Sequence, residues 1–124
     1  MRSRLATAAL LAAAAIALGA FGAHALAGTL DPRGRELWET ATRYLFYSAL
    51  GGIALEAASA AFLGGRGRLA VALVLAGGVV FSATLGALAL GAPPILGAMT
   101  PLGGIAMMAG FTLFALVALR HGSA

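Results

Sequence analysis

Few side chains in this sequence are placed to do chemistry, and they fall into two groups. Glu56 stands inside an apolar run, with Ser59 one turn along the same helical face. It lies roughly 10 Å from the glycine turn at Gly64, at 1.5 Å per helical residue, too deep for an easy escape to water. Such a carboxyl is either a proton-binding group facing the interior of a helix bundle, or a group whose polarity is spent locally. In the second case it is protonated and bonded to a neighbour, or ionised and reaching Arg66 or Arg68. Thr112 and the pair Gly77–Gly78 fall at a similar depth if their runs are antiparallel to that of Glu56. The second group is His24 with Tyr44, Tyr47, Ser48 and Thr84, near the other end of their runs. A histidine there either satisfies one hydroxyl or carbonyl, or contributes to a polar pocket open to lipid or a small ligand. A single imidazole makes no strong metal site, so no metal, haem or other cofactor is expected.

Other chemistries lack their residues. The sequence has no phosphate loop, dinucleotide glycine fingerprint, paired His–Glu metal motif or nucleophile elbow. Gly64-Gly65-Arg66-Gly67 lacks the Lys and Ser/Thr of a phosphate loop and reads as a turn. With no cysteine, disulfides and thiolate ligands are excluded. His121 reads as part of a solvated tail, and Met99, Met107 and Met108 read as packing side chains rather than metal ligands. No enzymatic activity is expected.

The elements that carry these residues are membrane spans. Of 124 residues 61% are apolar and 10% charged, and the mean hydropathy is +0.99. A soluble domain carries about 25% charged residues. Four runs approach the roughly 20 residues that a helix needs to cross a bilayer: about 5–27, 41–63, 69–91 and 101–119. They leave no room for a soluble domain, so residues 1–124 form one transmembrane unit. Ala92-Pro93-Pro94 stops the third run. Asp31 before Pro32 and Thr100 before Pro101 read as helix caps followed by proline in the first turn. Between Pro32 and Tyr44, residues Leu37, Trp38, Ala41, Tyr44 and Leu45 share one face, with charges on the remainder. This is an interfacial amphipathic helix leading into the second span, with Trp38, Tyr44 and Tyr47 suited to the headgroup level.

Two readings of the first run stand. Arg2 and Arg4 before an Ala-rich stretch, with small residues near Ala23–Ala27, match a cleavable secretory signal. Its length of about 20 residues exceeds the ~7–15 of a signal core. Its small residues Ala8, Ala12, Ala15, Gly19 and Gly22 suit a retained, packed helix. Comparable seams occur at Gly78, Ser82 and Gly86 and at Gly103, Ala106 and Gly110; the second run has none. They predict a compact all-α four-helix bundle. Arg2, Arg4, Arg66, Arg68 and Arg120 fall at one end, and Arg33, Arg35 and Arg43, among Asp31, Glu36 and Glu39, at the other. The bias predicts both termini on the cytoplasmic side. The net charge of +4 is too scattered for nucleic acid.

Three blocks carry a family resemblance: Gly19-Ala20-Phe21-Gly22-Ala23-His24-Ala25-Leu26, then Leu37-Trp38-Glu39-Thr40-Ala41-Thr42-Arg43-Tyr44 with Tyr47-Ser48-Ala49-Leu50, then Leu96-Gly97-Ala98-Met99-Thr100-Pro101-Leu102-Gly103-Gly104. In order and spacing they resemble the domain-of-unknown-function 423 group of small bacterial inner-membrane proteins, related to eukaryotic transmembrane protein 256. The resemblance implies four helices with the first retained, and no activity. Where that family often has a histidine after the tyrosine, Ser48 stands here, which removes a second ligand for His24.

Function reduces to three classes. A structural or accessory component of a membrane complex needs no ionisable site and fits the featureless third and fourth spans. A small oligomeric transporter or proton-coupled exchanger needs Glu56. An enzyme or cofactor subunit at the interface needs convergent ligands, of which only His24 and nearby hydroxyls are on offer. The first is the main expectation and the second its alternative. The expected partners are the lipid bilayer and either further copies of the chain or a larger membrane complex.

Overall fold

The computed structural model describes residues 1–123. Four long helices alternate in direction: α1 (Arg2–His24), α2 (Pro32–Phe62), α3 (Arg68–Ala89) and α4 (Thr100–Gly122), with a short 3₁₀ turn at Pro94–Ala98 before α4. All four are long and apolar enough to cross a bilayer. No strand occurs among the described residues.

The local chemistry explains most of the boundaries. Asp31 Oδ1 accepts the backbone N–H of Gly34 at 2.6 Å, and Pro32 occupies the first turn, so α2 starts where its cap places it. At 31 residues α2 extends about 46 Å, beyond the ~30 Å hydrocarbon layer. The amphipathic stretch is therefore the first turns of one continuous helix. Gly64 and Gly65 have φ of 55° and 80°, which reverse the chain after α2. The Ser59 carbonyl accepts from both Leu63 N and Gly65 N, and Ser59 Oγ accepts from Gly67 N at 2.9 Å. Ser59 thus ends one helix and secures the start of the next. It lines the same small cavity as Glu56, as their shared face suggests, while its hydroxyl accepts from Gly67 N.

Thr100 is not a cap. Met99 takes the cap position without a side-chain bond, and the Thr100 hydroxyl meets Thr84 Oγ1 at 2.7 Å. Thr84 donates back to the Val80 and Phe81 carbonyls. Either hydroxyl can donate in this contact, and Thr100 Oγ1 also lies 3.5 Å from the Leu96 carbonyl. The hydroxyl expected to cap α4 ties it to α3 instead.

Packing is serial. α1 lies on α2, α2 on α3 and α3 on α4, so α2 and α3 form the centre of the bundle. α1 reaches the core at Ala8, which clusters with Val71 and Leu75 of α3. The expected seams are the contact lines: Ala8, Ala12, Ala15 and Gly22 are buried in α1, Gly78 and Ser82 in α3, and Gly103 and Gly110 in α4. Without side chains at Gly77 and Gly103, α3 and α4 touch backbone to backbone; a Cβ on Gly103 would stand 2.5 Å from Phe81 N and 2.7 Å from Gly77 O. The second span also has a small-residue line, contrary to the sequence expectation. Ser48, Gly52 and Ser59 are all buried along it.

Candidate functional site: a buried ion pair and its polar ties

Glu56 is the chemical centre of the bundle, and its partner is Arg4. Arg4 Nε donates to Glu56 Oε2 at 2.9 Å and Nη2 donates to Oε1 at 2.8 Å, a two-pronged guanidinium–carboxylate contact between α1 and α2. The α-amine of Met1 stands 3.9 Å from Oε1. The glutamate side chain is 3% exposed and the arginine 29%. Arg66 and Arg68, the partners expected from nearness in sequence, do not bond it. Arg68 lines the small cavity of about 140 Å³ above the pair, with Gly64 and Gly65. Both carboxylate oxygens accept from one planar group, so the charge is matched where it is buried.

The other residues expected at this depth lie elsewhere. Gly78 faces Ser48, two turns along α2 from Glu56, and Gly77 faces Gly103 and Met107. Thr112 is exposed on α4. The antiparallel register pairs Gly52 with Leu75, which brings the region of Val71, not Gly77–Gly78, level with Glu56.

At the opposite end the expected His24 pocket does not assemble. His24 is the last residue of α1, exposed and without a hydrogen-bond partner among the described residues. α2 turns Trp38 and Thr42 toward α1. Tyr44, two residues on, is rotated by about 200° around the helix. Tyr44 instead contacts Phe81 of α3 at 5.0 Å and Tyr47 at 5.5 Å between ring centres. Ser48 is buried, and its hydroxyl is spent on the Leu45 carbonyl at 2.9 Å. Among the described residues no three of His, Cys, Asp or Glu converge as a metal site would need.

Trp38 has a different role from the headgroup anchor expected of it. It is buried, with its indole N–H donating to the Leu18 carbonyl of α1 at 2.8 Å. A Cβ on Gly22 would overlap the indole ring, so that glycine opens the way to the carbonyl one turn below. Trp38 and Thr42 also line an apolar cleft of about 380 Å³ between α1, α2 and α3. Ser82 borders this cleft, and its Oγ is buried without a partner among the described residues.

Two polar ties, Arg4–Glu56 and Trp38–Leu18, therefore fix α1 to α2 near their opposite ends. Both were missed in the sequence because each joins residues on different helices. A register signal for the first existed: Arg4 is one turn into α1 and Glu56 under two turns from the end of α2, so antiparallel neighbours bring them level.

Four apolar helices held by glycine contacts, with internal polar groups bonded between helices, define a small multi-span helical membrane protein. The comparisons carry this further. The profile described as "Protein of unknown function (DUF423)" matches residues 18–104. The chain is 38% identical over 109 residues to the UPF0382 membrane protein YwdK of Bacillus subtilis, covering 86% of this chain and 88% of that one. It is 36% identical to a UPF0382 membrane protein of Staphylococcus epidermidis, over 90% and 91% of the two chains. A UPF0382 membrane protein of the yeast Schizosaccharomyces pombe is 34% identical, over 84% and 91%. The chain belongs to this DUF423/UPF0382 family of small membrane proteins. No solved structure matches it.

Proposed function

We infer that the protein is a non-enzymatic structural or accessory component of a larger membrane assembly, seated in a bacterial inner membrane with both termini cytoplasmic. The observation that carries this reading is the Arg4–Glu56 contact. Glu56 is the one carboxyl deep in a span, and an exchanger would need it free to take and release a proton. Its two oxygens instead accept from one guanidinium, as in a fixed structural bond. The outer face of α4, with Leu102, Ile105 and Met108 exposed, offers apolar surface to lipid or to a neighbouring helix. The orientation is supported by the arginine bias. Arg2, Arg66, Arg68 and Arg120 gather at the end of the bundle that holds both termini.

Native mass spectrometry of the full chain, extracted in mild detergent from its own membrane, tests the reading. A defined complex with other membrane subunits, or with further copies, is the expected result. A lone monomer whose proteoliposomes carry a proton-coupled flux that Glu56→Gln abolishes would replace it with the exchanger.

A further inference from the structure

We propose that Arg66, Arg120 and His121 form a binding site for the phosphate of an anionic membrane lipid. This goes beyond the structural role above and does not depend on it. Arg66 lies in the turn between α2 and α3; Arg120 and His121 lie in the last turn of α4. Together with Val117 they line a cavity of about 240 Å³.

The contact between Arg66 and His121 sets the donors. Arg66 Nη1 stands 2.8 Å from His121 Nδ1. A guanidinium only donates, so Nδ1 accepts and the imidazole proton sits on Nε2. The bond links the turn to the end of α4 and leaves the remaining guanidinium N–H groups, the whole of Arg120 and His121 Nε2–H as donors around one space. One guanidinium can meet a phosphate through two parallel N–H donors, and both Arg66 and Arg120 line the cavity.

The charge around this space is uncompensated by the described residues. The four acidic side chains are Asp31, Glu36, Glu39 and Glu56. The first three belong to the opposite end of the bundle, and Glu56 is held by Arg4. The described residues form no salt bridge to Arg66 or Arg120. Among the described residues no carboxylate side chain has to be displaced for a phosphate to enter.

A lipid headgroup is favoured over free phosphate by position. The cavity lies at the end of a membrane-spanning helix with Val117 as its apolar wall, and the last turns of α4 also expose Leu116 and Leu119 to the surroundings of the bundle. A phosphodiester at Arg66 and Arg120 leaves its acyl chains along that apolar surface. Basic pockets between spans on the cytoplasmic side take anionic headgroups in this manner.

The test uses the full chain in detergent with phosphatidylglycerol or phosphatidylcholine of identical acyl chains. Native mass spectrometry counts retained lipid, and thermal melting reports stabilisation. The expected result is selective retention of one phosphatidylglycerol, lowered roughly tenfold in the Arg66→Gln/Arg120→Gln variant. The Arg33→Gln/Arg35→Gln variant at the far end should retain it fully. The altered side chains are exposed, and unchanged melting in phosphatidylcholine checks that the fold survives. Equal retention of both lipids, or equal loss in the far-end variant, would overturn the site and reduce these arginines to orientation signals. A melting shift reproduced by inorganic phosphate alone would overturn the lipid assignment.

Discussion

Removing either member of the Arg4–Glu56 pair strands the other against an apolar surface. Glu56 is the deeper of the two, so Arg4→Gln leaves a buried carboxylate with only the more distant Met1 amine for charge. Glu56→Gln leaves a half-buried guanidinium able to turn toward water. We expect Arg4→Gln to lower the melting temperature in detergent by roughly 5 °C, and Glu56→Gln by less. The double variant should lose less than the two added together, because the stranded charge is gone. Strict additivity in this cycle would show the contact to be energetically idle. The sequence marked Glu56 as the residue to explain, since a carboxyl in an apolar run is conspicuous whatever surrounds it. It did not mark Arg4, which reads as one of two arginines in a basic leader; only the antiparallel docking of α1 on α2 makes it a partner. His24 erred in the other direction. Its neighbours were inferred from depth alone, and depth does not say which way a helix is turned.

Element boundaries were more legible than contacts, because proline, glycine and aspartate act within a few residues of where they stand. The expected runs at 41–63 and 69–91 became Pro32–Phe62 and Arg68–Ala89. The start of α2 at Pro32 is where the Asp31 cap and Pro32 place it, and the interfacial stretch and the 41–63 run are one helix. The small-residue seams could be read in α1, α3 and α4, but not which helix each would meet. In a chain with 18 glycines many such lines exist, and the backbone approach selects among them. Gly103 is where that selection is most exacting. Gly103→Leu forces the α3 and α4 backbones apart, and we expect a loss of about 3 kcal/mol in mixed-micelle unfolding. Gly28→Ala adds a methyl group where nothing lies within 4 Å and should change stability little. A silent Gly103→Leu would mean that α4 does not rest on α3 as described.

For the molecule as a whole, orientation and retention of α1 are the properties to measure. The chain has no cysteine, so Arg35→Cys and Arg66→Cys each supply one exposed thiol, at opposite ends of the bundle. An impermeant thiol reagent added to intact cells should label the first and not the second. The reverse pattern would invert the orientation, and equal labelling would indicate dual insertion. The mature protein should also retain Arg4, as its mass in purified membranes will show; a species beginning near Leu26 would leave Glu56 without its partner. The two ties between α1 and α2 bear on something further. Trp38 and Glu56 are 18 positions apart on α2, about 27 Å along the helix axis, close to the ~30 Å thickness of the hydrocarbon layer. Fastened near both ends, the two helices cannot slip past one another to adjust their combined length. A bilayer with shorter acyl chains must then be met by tilting the pair as one rigid unit. In oriented bilayers of decreasing thickness, the inclinations of α1 and α2 should rise together, and in the Trp38→Phe/Glu56→Gln variant they should part.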